Sequence, residues 1–160
     1  MPRSVCNTVT IALLGLLAFA CANEGVGDPC IPEAVPCDSQ GENCGFRSSE
    51  SYVEASSVQC RSRLCIVHKL DNRTEGTADP RLVDNNGDGI DDATGVPCNN
   101  RCVNNSHLDE SIYCTCKCGG PKTREFCKCP SGFKCEQVLN NENAGKGIQG
   151  SYCVRDLQSI

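Results

Sequence analysis

The 160-residue chain carries 15 basic and 20 acidic side chains, so its formal net charge at neutral pH is −5. This negative charge argues against nucleic acid as a partner, because a polyanion is attracted to basic surfaces. Leu, Ile, Val and Phe make up 25 of the 140 residues from Cys21 onward, about 18%, which is too few for a self-sufficient apolar core. The 16 cysteines predict that disulfides supply the missing rigidity.

The first twenty residues predict an export signal. Arg3 gives a positive start, and the apolar run from Thr10 to Ala20 is too short to span a membrane. The residues before Cys21 follow a small-x-small cleavage pattern, Ala18-Phe19-Ala20. We therefore predict that residues 1–20 are a signal peptide that is removed during export.

Cysteine parity draws attention to Cys21. Fifteen cysteines follow the signal, and an odd number leaves one thiol unpaired. The stretch Ala18 to Cys21 (AFAC) resembles the lipobox of bacterial lipoproteins, which implies lipidation of Cys21 and leaves fourteen cysteines for seven bridges. A cut after Ala22 also leaves fourteen, so a secreted protein remains the alternative. By resemblance to Gram-negative lipoproteins, Ala22 implies an outer-membrane location, on the periplasmic or the surface face.

The predicted organisation is a tether at residues 21–29 followed by a single disulfide-rich domain at residues 30–160, with an acidic, cysteine-free insertion at residues 71–97. Five cysteines precede the insertion and nine follow it, so at least one bridge has to cross between the two blocks. The disulfide candidates are Cys30, Cys37, Cys44, Cys60, Cys65, Cys98, Cys102, Cys114, Cys116, Cys118, Cys127, Cys129, Cys135 and Cys153.

Short β-rich segments predict five strands, at Val58–His68, Ser111–Cys118, Glu125–Cys129, Gly132–Leu139 and Ser151–Arg155. We expect the second strand to form a hairpin with the third across Gly119-Gly120-Pro121, and the fourth with the fifth across residues 140–150. Helical periodicity is absent. The predicted fold class is small and disulfide-rich, mostly irregular with short antiparallel β-hairpins, and without a substantial helix.

The segment DNNGDGIDD, residues 84–92, has the oxygen-rich pattern of a calcium loop. The predicted ligands are Asp84, Asn86, Asp88, the Ile90 carbonyl and Asp92. An EF-hand has Glu at the twelfth position, where this chain has Gly, and the segment resembles the thrombospondin type 3 repeat instead. That resemblance implies weak structural calcium binding, with a dissociation constant of roughly 10⁻⁴ to 10⁻³ M. The alternative is a solvated acidic turn.

Alternating cysteines at Cys114, Cys116, Cys118, Cys127 and Cys129 admit two interpretations. Reduced, they would form a metallothionein-like, metal-sequestering cluster. In an oxidising compartment they form disulfides, and because side chains two residues apart on a strand run parallel, we expect these five to pair outward. Residues 127–135 (CKCPSGFKC) also resemble the core of EGF-like domains, which implies a secreted binding module as a further alternative.

The sequence contains no recognisable catalytic motif. His68 and His107 lie in no metal or nucleophile pattern, and C-x-x-C, G-x-S-x-G and P-loop motifs are absent. We therefore predict that the protein is not an enzyme and that both histidines are exposed structural residues.

Four segments, GDPCIPE, YCTCKCGGP, FCKCPSGFKC and GSYCV, follow the lipobox-like cysteine and together resemble a group of cysteine-rich bacterial lipoproteins. The resemblance implies a membrane association through the lipid anchor and a non-enzymatic structural or binding role. The expected ligand is an unidentified protein or glycan, and calcium is the expected structural cofactor.

Overall fold

The computed structural model describes residues 25–41, 43–47, 49–70, 76–121, 125–140 and 147–156. Its elements in chain order are β1 (Phe46–Arg47), β2 (Ser51–Glu54), β3 (Cys65–His68), β4 (Thr77–Ala78), α1 (Asn105–Ser111), β5 (Ile112–Cys114), β6 (Lys117–Gly119), β7 (Phe133–Leu139) and β8 (Gly150–Arg155). The predicted signal peptide and Cys21 lie outside the described residues. Within the described ranges, no helix is long and apolar enough to cross a bilayer.

The central sheet consists of three antiparallel strands in the order β2-β3-β5. Its register aligns one row of Val53, Ile66 and Tyr113 beside another row of Tyr52, Val67 and Ile112. Successive residues of a strand point to opposite faces, so the two rows serve two different cores. Burial of Cys65, Ile66 and Val67 is complete, as expected for a strand covered on both faces.

Sulfur contributes directly to the core on one face of the central sheet. Four of the ten buried residues in this first core are cysteines. The core is formed by Cys30, Phe46, Cys60, Cys65, Val67, Leu70, Ala78, Val103, Ile112 and Cys114. The short β1–β4 pair brings Phe46 and Ala78 into it. Disulfides therefore both cross-link the chain and fill part of the interior that apolar residues would otherwise fill.

The other face of the central sheet packs on a second sheet with the strand order β6-β8-β7. The rings of Tyr113 and Phe133 meet edge to face with centroids 5.5 Å apart. The Arg155 guanidinium lies 5.2 Å from the Tyr113 centroid, and the Arg155 backbone N–H donates to the Tyr113 hydroxyl at 2.9 Å. Burial raises the pKa of Tyr113 to about 12. This contact ties the two three-stranded sheets together.

Seven disulfides join the fourteen cysteines of the described residues, which confirms the predicted disulfide-rich fold. The pairs are Cys30–Cys65, Cys37–Cys44, Cys60–Cys114, Cys98–Cys102, Cys116–Cys127, Cys118–Cys135 and Cys129–Cys153. The Cys60–Cys114 bridge crosses between the two blocks, as their odd counts require. The expectation that the five alternating cysteines pair outward is wrong for Cys116–Cys127, because those two belong to different segments that face each other.

The strand predictions succeed where pairing is local. The hairpin of Gly132–Leu139 with Ser151–Arg155 is confirmed as β7–β8, with Cys135 opposite Cys153. The predicted strand Val58–His68 is extended only at its end, in β3. The predicted strand Glu125–Cys129 is irregular, and its Cys127 N–H donates to a β6 carbonyl at 3.0 Å.

The predicted strand Ser111–Cys118 divides into β5 and β6, which belong to different sheets. Thr115 lies at the division. Its N–H donates to the Leu64 carbonyl at 2.9 Å, and its hydroxyl donates to the Cys153 carbonyl at 2.7 Å. The chain therefore leaves the central sheet here and joins the second, where β6 pairs with β8 rather than with residues 125–129.

A short helix, α1, was not predicted. The Asn104 side-chain oxygen caps it by accepting from the Ser106 N–H at 2.9 Å. Leu108 is the one large apolar residue of this segment, so its sequence shows no apolar pattern with helical spacing. At seven residues it agrees with the prediction that no substantial helix is present.

Candidate functional sites

The acidic segment at residues 84–92 forms a tight turn in which the predicted ligands bind the backbone of the segment itself. Asp84 accepts from the N–H groups of Gly87 and Gly89 at 2.6 and 2.8 Å, and Asp88 accepts from the Ile90 N–H at 2.9 Å. Asn86 accepts from the Asp88 N–H at 2.8 Å. The hydrogen bonds from Gly89 and Gly87 lower the pKa of the Asp84 carboxyl below its ordinary value.

At the end of this turn, the adjacent residues Asp91 and Asp92 accept hydrogen bonds from different parts of the chain. Asp92 was predicted as a ligand, and its carboxylate accepts from the backbone and side-chain amides of Asn85 at 3.0 and 2.9 Å. Asp91 was not singled out, yet it is only 1% exposed. It accepts from the N–H groups of Val83 and Thr94 at 2.7 and 2.8 Å and from the Thr94 hydroxyl. The Thr94 hydroxyl and the Val83 N–H lower the pKa of Asp91.

The carboxylates of this turn do not converge on one point. In the part of the chain that the structure describes, the groups of three ligand atoms that lie within 4.8 Å of one another are all formed by cysteines. The turn is thus preset by its own hydrogen bonds, while the calcium assignment of Asp84, Asn86, Asp88, Ile90 and Asp92 stays a prediction.

An apolar groove of about 460 Å³ opens between the start of the described chain and α1. It is lined by Pro29, Cys30, Ile31, Pro32, Pro80, Arg81, Leu108, Asp109 and Ile112. Ile31 is 65% exposed. The Arg81 guanidinium is fixed by two hydrogen bonds, of 2.8 and 2.7 Å, to the buried carboxylate of Asp79. The groove therefore combines a mostly apolar wall with a rigidly held cation. No local sequence pattern predicts this groove, because its walls come from three distant segments.

Ser51, His68 and Glu136 share the residue types of a nucleophilic triad. Ser51 lies opposite His68 in the β2–β3 ladder, with 2.9 Å between its hydroxyl oxygen and Nδ1 of the imidazole. Nε2 lies 4.0 Å from Glu136 Oε1, beyond hydrogen-bond distance, and Glu136 is instead paired with Lys134 at 3.2 Å and Lys69 at 3.8 Å. The arrangement is a polar contact between two sheets.

The prediction that His68 is exposed is wrong, because its side chain retains only 13% exposure. Burial, followed by the positive charge of Lys69, lowers the pKa of His68 below its ordinary value of 6.5, while Glu136 offsets part of that effect. The imidazole is therefore neutral at physiological pH. The alternating pattern of Val58–His68 gave no indication of this contact, because β7 and its Glu136 are far away in sequence.

Sulfur atoms from neighbouring bridges crowd together along the second sheet. Cys153 Sγ lies 3.6 Å from Cys116 Sγ and 3.7 Å from Cys127 Sγ, although its own bridge is to Cys129. A second group within 4.8 Å comprises Cys118, Cys129 and Cys135, and a third, fully buried group comprises Cys30, Cys60 and Cys114.

No protein-family model, curated protein or solved structure matches the chain. The fold and its bridges define a small disulfide-rich protein.

Proposed function

We propose that the chain is a non-enzymatic exported lipoprotein that acts as a rigid, disulfide-stabilised scaffold for binding. The observation that supports this best is that every cysteine in the described residues belongs to a bridge. Complete pairing suits an oxidising compartment and leaves Cys21 as the odd cysteine after the signal, available for the lipid. The anchor then holds the mature protein at the outer membrane, and release without a lipid is the alternative.

Calcium is proposed as a structural cofactor of the turn at residues 84–92. Asp84, Asp88 and Asp92 place three carboxylates within nine residues, and like charges at this spacing repel one another. A hard cation would relieve that repulsion by taking carboxylate, amide and carbonyl oxygens as ligands. The turn is already bent by its own hydrogen bonds, so binding requires only a rearrangement of side chains.

The apolar groove favours a protein over a glycan as the bound partner. Its wall is mostly Pro, Leu and Ile side chains, which suit an apolar side chain better than a hydroxyl-rich sugar. Arg81 and Asp109 provide one charge of each sign for orientation. Lining segments are rigid because Cys30 is bridged to the core and Arg81 is fixed by Asp79, and a rigid surface loses little entropy on binding.

The mass of the intact protein, extracted from membranes, tests the proposal. We expect an acylated N-terminal Cys21 and a loss of fourteen hydrogens to the seven bridges. Free-thiol titration of the same material distinguishes the proposed scaffold from the alternative of a metal-sequestering protein. Near-zero thiol supports the scaffold, whereas mostly free thiols contradict it. A fully bridged protein without the lipid, recovered from the medium, would instead support a secreted binding module.

A further inference from the structure

We propose that Cys116, Cys127, Cys129 and Cys153 form a tetrathiolate site for a soft divalent metal ion, Zn²⁺ or Cd²⁺, when their two bridges are reduced. The site belongs to the reduced state of the protein, whereas the proposed scaffold function concerns the oxidised state. It differs from a cluster of the alternating cysteines alone, because Cys153 from β8 is its centre.

The spacing of the sulfur atoms carries this proposal. Four sulfurs at about 2.3 Å from a tetrahedral ion lie about 3.8 Å from one another. The distances from Cys153 Sγ to Cys116 Sγ and Cys127 Sγ are 3.6 and 3.7 Å, although no bond joins them. Cys129 Sγ lies 2.00 Å from Cys153 Sγ in their bridge, and its other sulfur neighbours within 4.8 Å are Cys118 and Cys135. Opening the two bridges therefore releases three thiols, those of Cys116, Cys127 and Cys153, that already lie within 4.8 Å of one another, with the Cys129 thiol beside them as the fourth ligand.

The strands around this site are joined by hydrogen bonds as well as by bridges. β8 is hydrogen-bonded between β6 and β7, and these ladders do not depend on the two bridges that open. The bridges of the first core involve Cys30, Cys60, Cys65 and Cys114, all of which are at most 6% exposed. By contrast, Cys116, Cys127 and Cys129 are only half-buried, Cys135 is exposed, and Cys153 is fully buried. A dissolved reductant therefore reaches the bridges of the second sheet, Cys118–Cys135 among them, before it reaches the core.

The chemistry balances with a dithiol as the named reductant. Each of two dithiol molecules gives two electrons and two protons to one bridge, becomes a cyclic disulfide and leaves two protein thiols. The four thiols then bind one metal ion as thiolates and release four protons. Thiolates suit soft and borderline ions, so calcium or magnesium would not compete.

Cadmium itself is the probe for the experiment. The full mature chain is treated with graded dithiol, freed of excess reagent and titrated with Cd²⁺ while the ultraviolet thiolate-to-cadmium band is followed. We expect one ion per chain. Alkylation followed by mass spectrometry should then find Cys116, Cys127, Cys129 and Cys153 protected by the metal, which requires no variant protein. Absence of the band, or protection centred on other cysteines, would overturn the site.

Three paired variants locate the ligands. C116S/C127S removes two ligands, so the affinity for Cd²⁺ should fall at least tenfold. C118S/C135S removes the neighbouring bridge and C37S/C44S a distant one, and both should bind within about twofold of the parent. If C116S/C127S does not fold, the alkylation pattern of the parent protein identifies the ligands instead. Equal affinity in all three variants would refute the assignment.

Discussion

His68 lies where the two three-stranded sheets meet, and its neutral form suits that place. Its ring is hydrogen-bonded to the Ser51 hydroxyl, and the burial that lowers its pKa disfavours the protonated ring. Because the pKa in the folded state is below 6.5, the unfolded chain binds the proton more readily. The stabilisation is therefore complete above pH 6.5 and is lost as the pH falls from 6.5 toward the lowered value.

The lowered pKa of His68 predicts a dependence of stability on pH. The free energy of unfolding should decrease as the pH is lowered from about 7 to about 5, and H68Q should flatten the decrease, because Gln keeps a hydrogen-bonding group without titrating there. Denaturant titrations across this pH range measure both proteins. A parent protein without any slope would contradict the prediction.

Gly150, the first residue of β8, shows how a single element constrains its sequence. Its φ is +145°, and a Cβ there would lie 2.4 Å from the Gly119 carbonyl oxygen of β6. Only a residue without a side chain permits this approach of two backbones. The element depends on Gly150 in a way that the predicted strand, which began at Ser151, did not reveal.

We expect G150A to lower the free energy of unfolding by about 1–3 kcal/mol, because it combines a strained conformation with a backbone clash. The matched control is G147A, where an added Cβ meets no atom within 4 Å. Guanidinium denaturation under oxidising conditions compares the two variants. Equal stability of G150A and G147A would show that β6 and β8 do not approach as described.

The acidic turn at residues 84–92 provides a further prediction. Calcium at about 10 mM, roughly ten times a dissociation constant of 10⁻³ M, should make opening of the turn about tenfold rarer. Tryptic cleavage after Arg81, which lies just before the turn, should slow accordingly and recover with chelator.

A matched pair of variants tests whether residues 84–92 cause the effect. D88N keeps an oxygen that can accept from the Ile90 N–H but removes a charged ligand, so calcium should change its cleavage rate less than twofold. D109N removes a carboxylate from α1, outside the turn, and should respond as the parent does. A parent protein that is cut equally fast with calcium and with chelator would exclude the calcium site.

The seven bridges differ in how strongly they constrain the unfolded chain. Cys60–Cys114 closes a separation of 54 residues inside the first core, whereas Cys37–Cys44 closes one of 7 residues nearer the surface. A cross-link removes more entropy from the unfolded chain when it closes a longer loop. The long-range bridge therefore constrains the unfolded chain more strongly.

We expect C60S/C114S to lose about 4 kcal/mol of unfolding free energy and C37S/C44S about 2 kcal/mol, from the loop-entropy relation. Chemical denaturation of each variant, with the other bridges oxidised, measures the losses. In C60S/C114S, two buried serines lower the free energy of unfolding further. If this variant does not fold at all, its loss of stability is still the larger of the two, as predicted. A greater loss in C37S/C44S would contradict this ranking.

Features that depend on counting cysteines or on neighbours along the chain could be predicted from the amino-acid sequence alone. The number of cysteines required a bridge between the two blocks, and the hairpin β7–β8 followed from two adjacent β-rich segments. Local turn chemistry also predicted the bend at residues 84–92. These features need no knowledge of distant residues, because covalent parity and short-range hydrogen bonds decide them.

Which distant residues come into contact depends on long-range packing and could not be predicted. A strand pattern with a period of two does not identify the partner strand. It could therefore predict neither the division of the strand at Thr115 nor the pairing of β6 with β8. The same holds for the burial of Asp91 and His68. Both residues are buried by segments that lie far apart in the sequence. Bringing such segments together costs loop-closure entropy, which many contacts offset jointly, so no local sequence pattern indicates the burial of either residue.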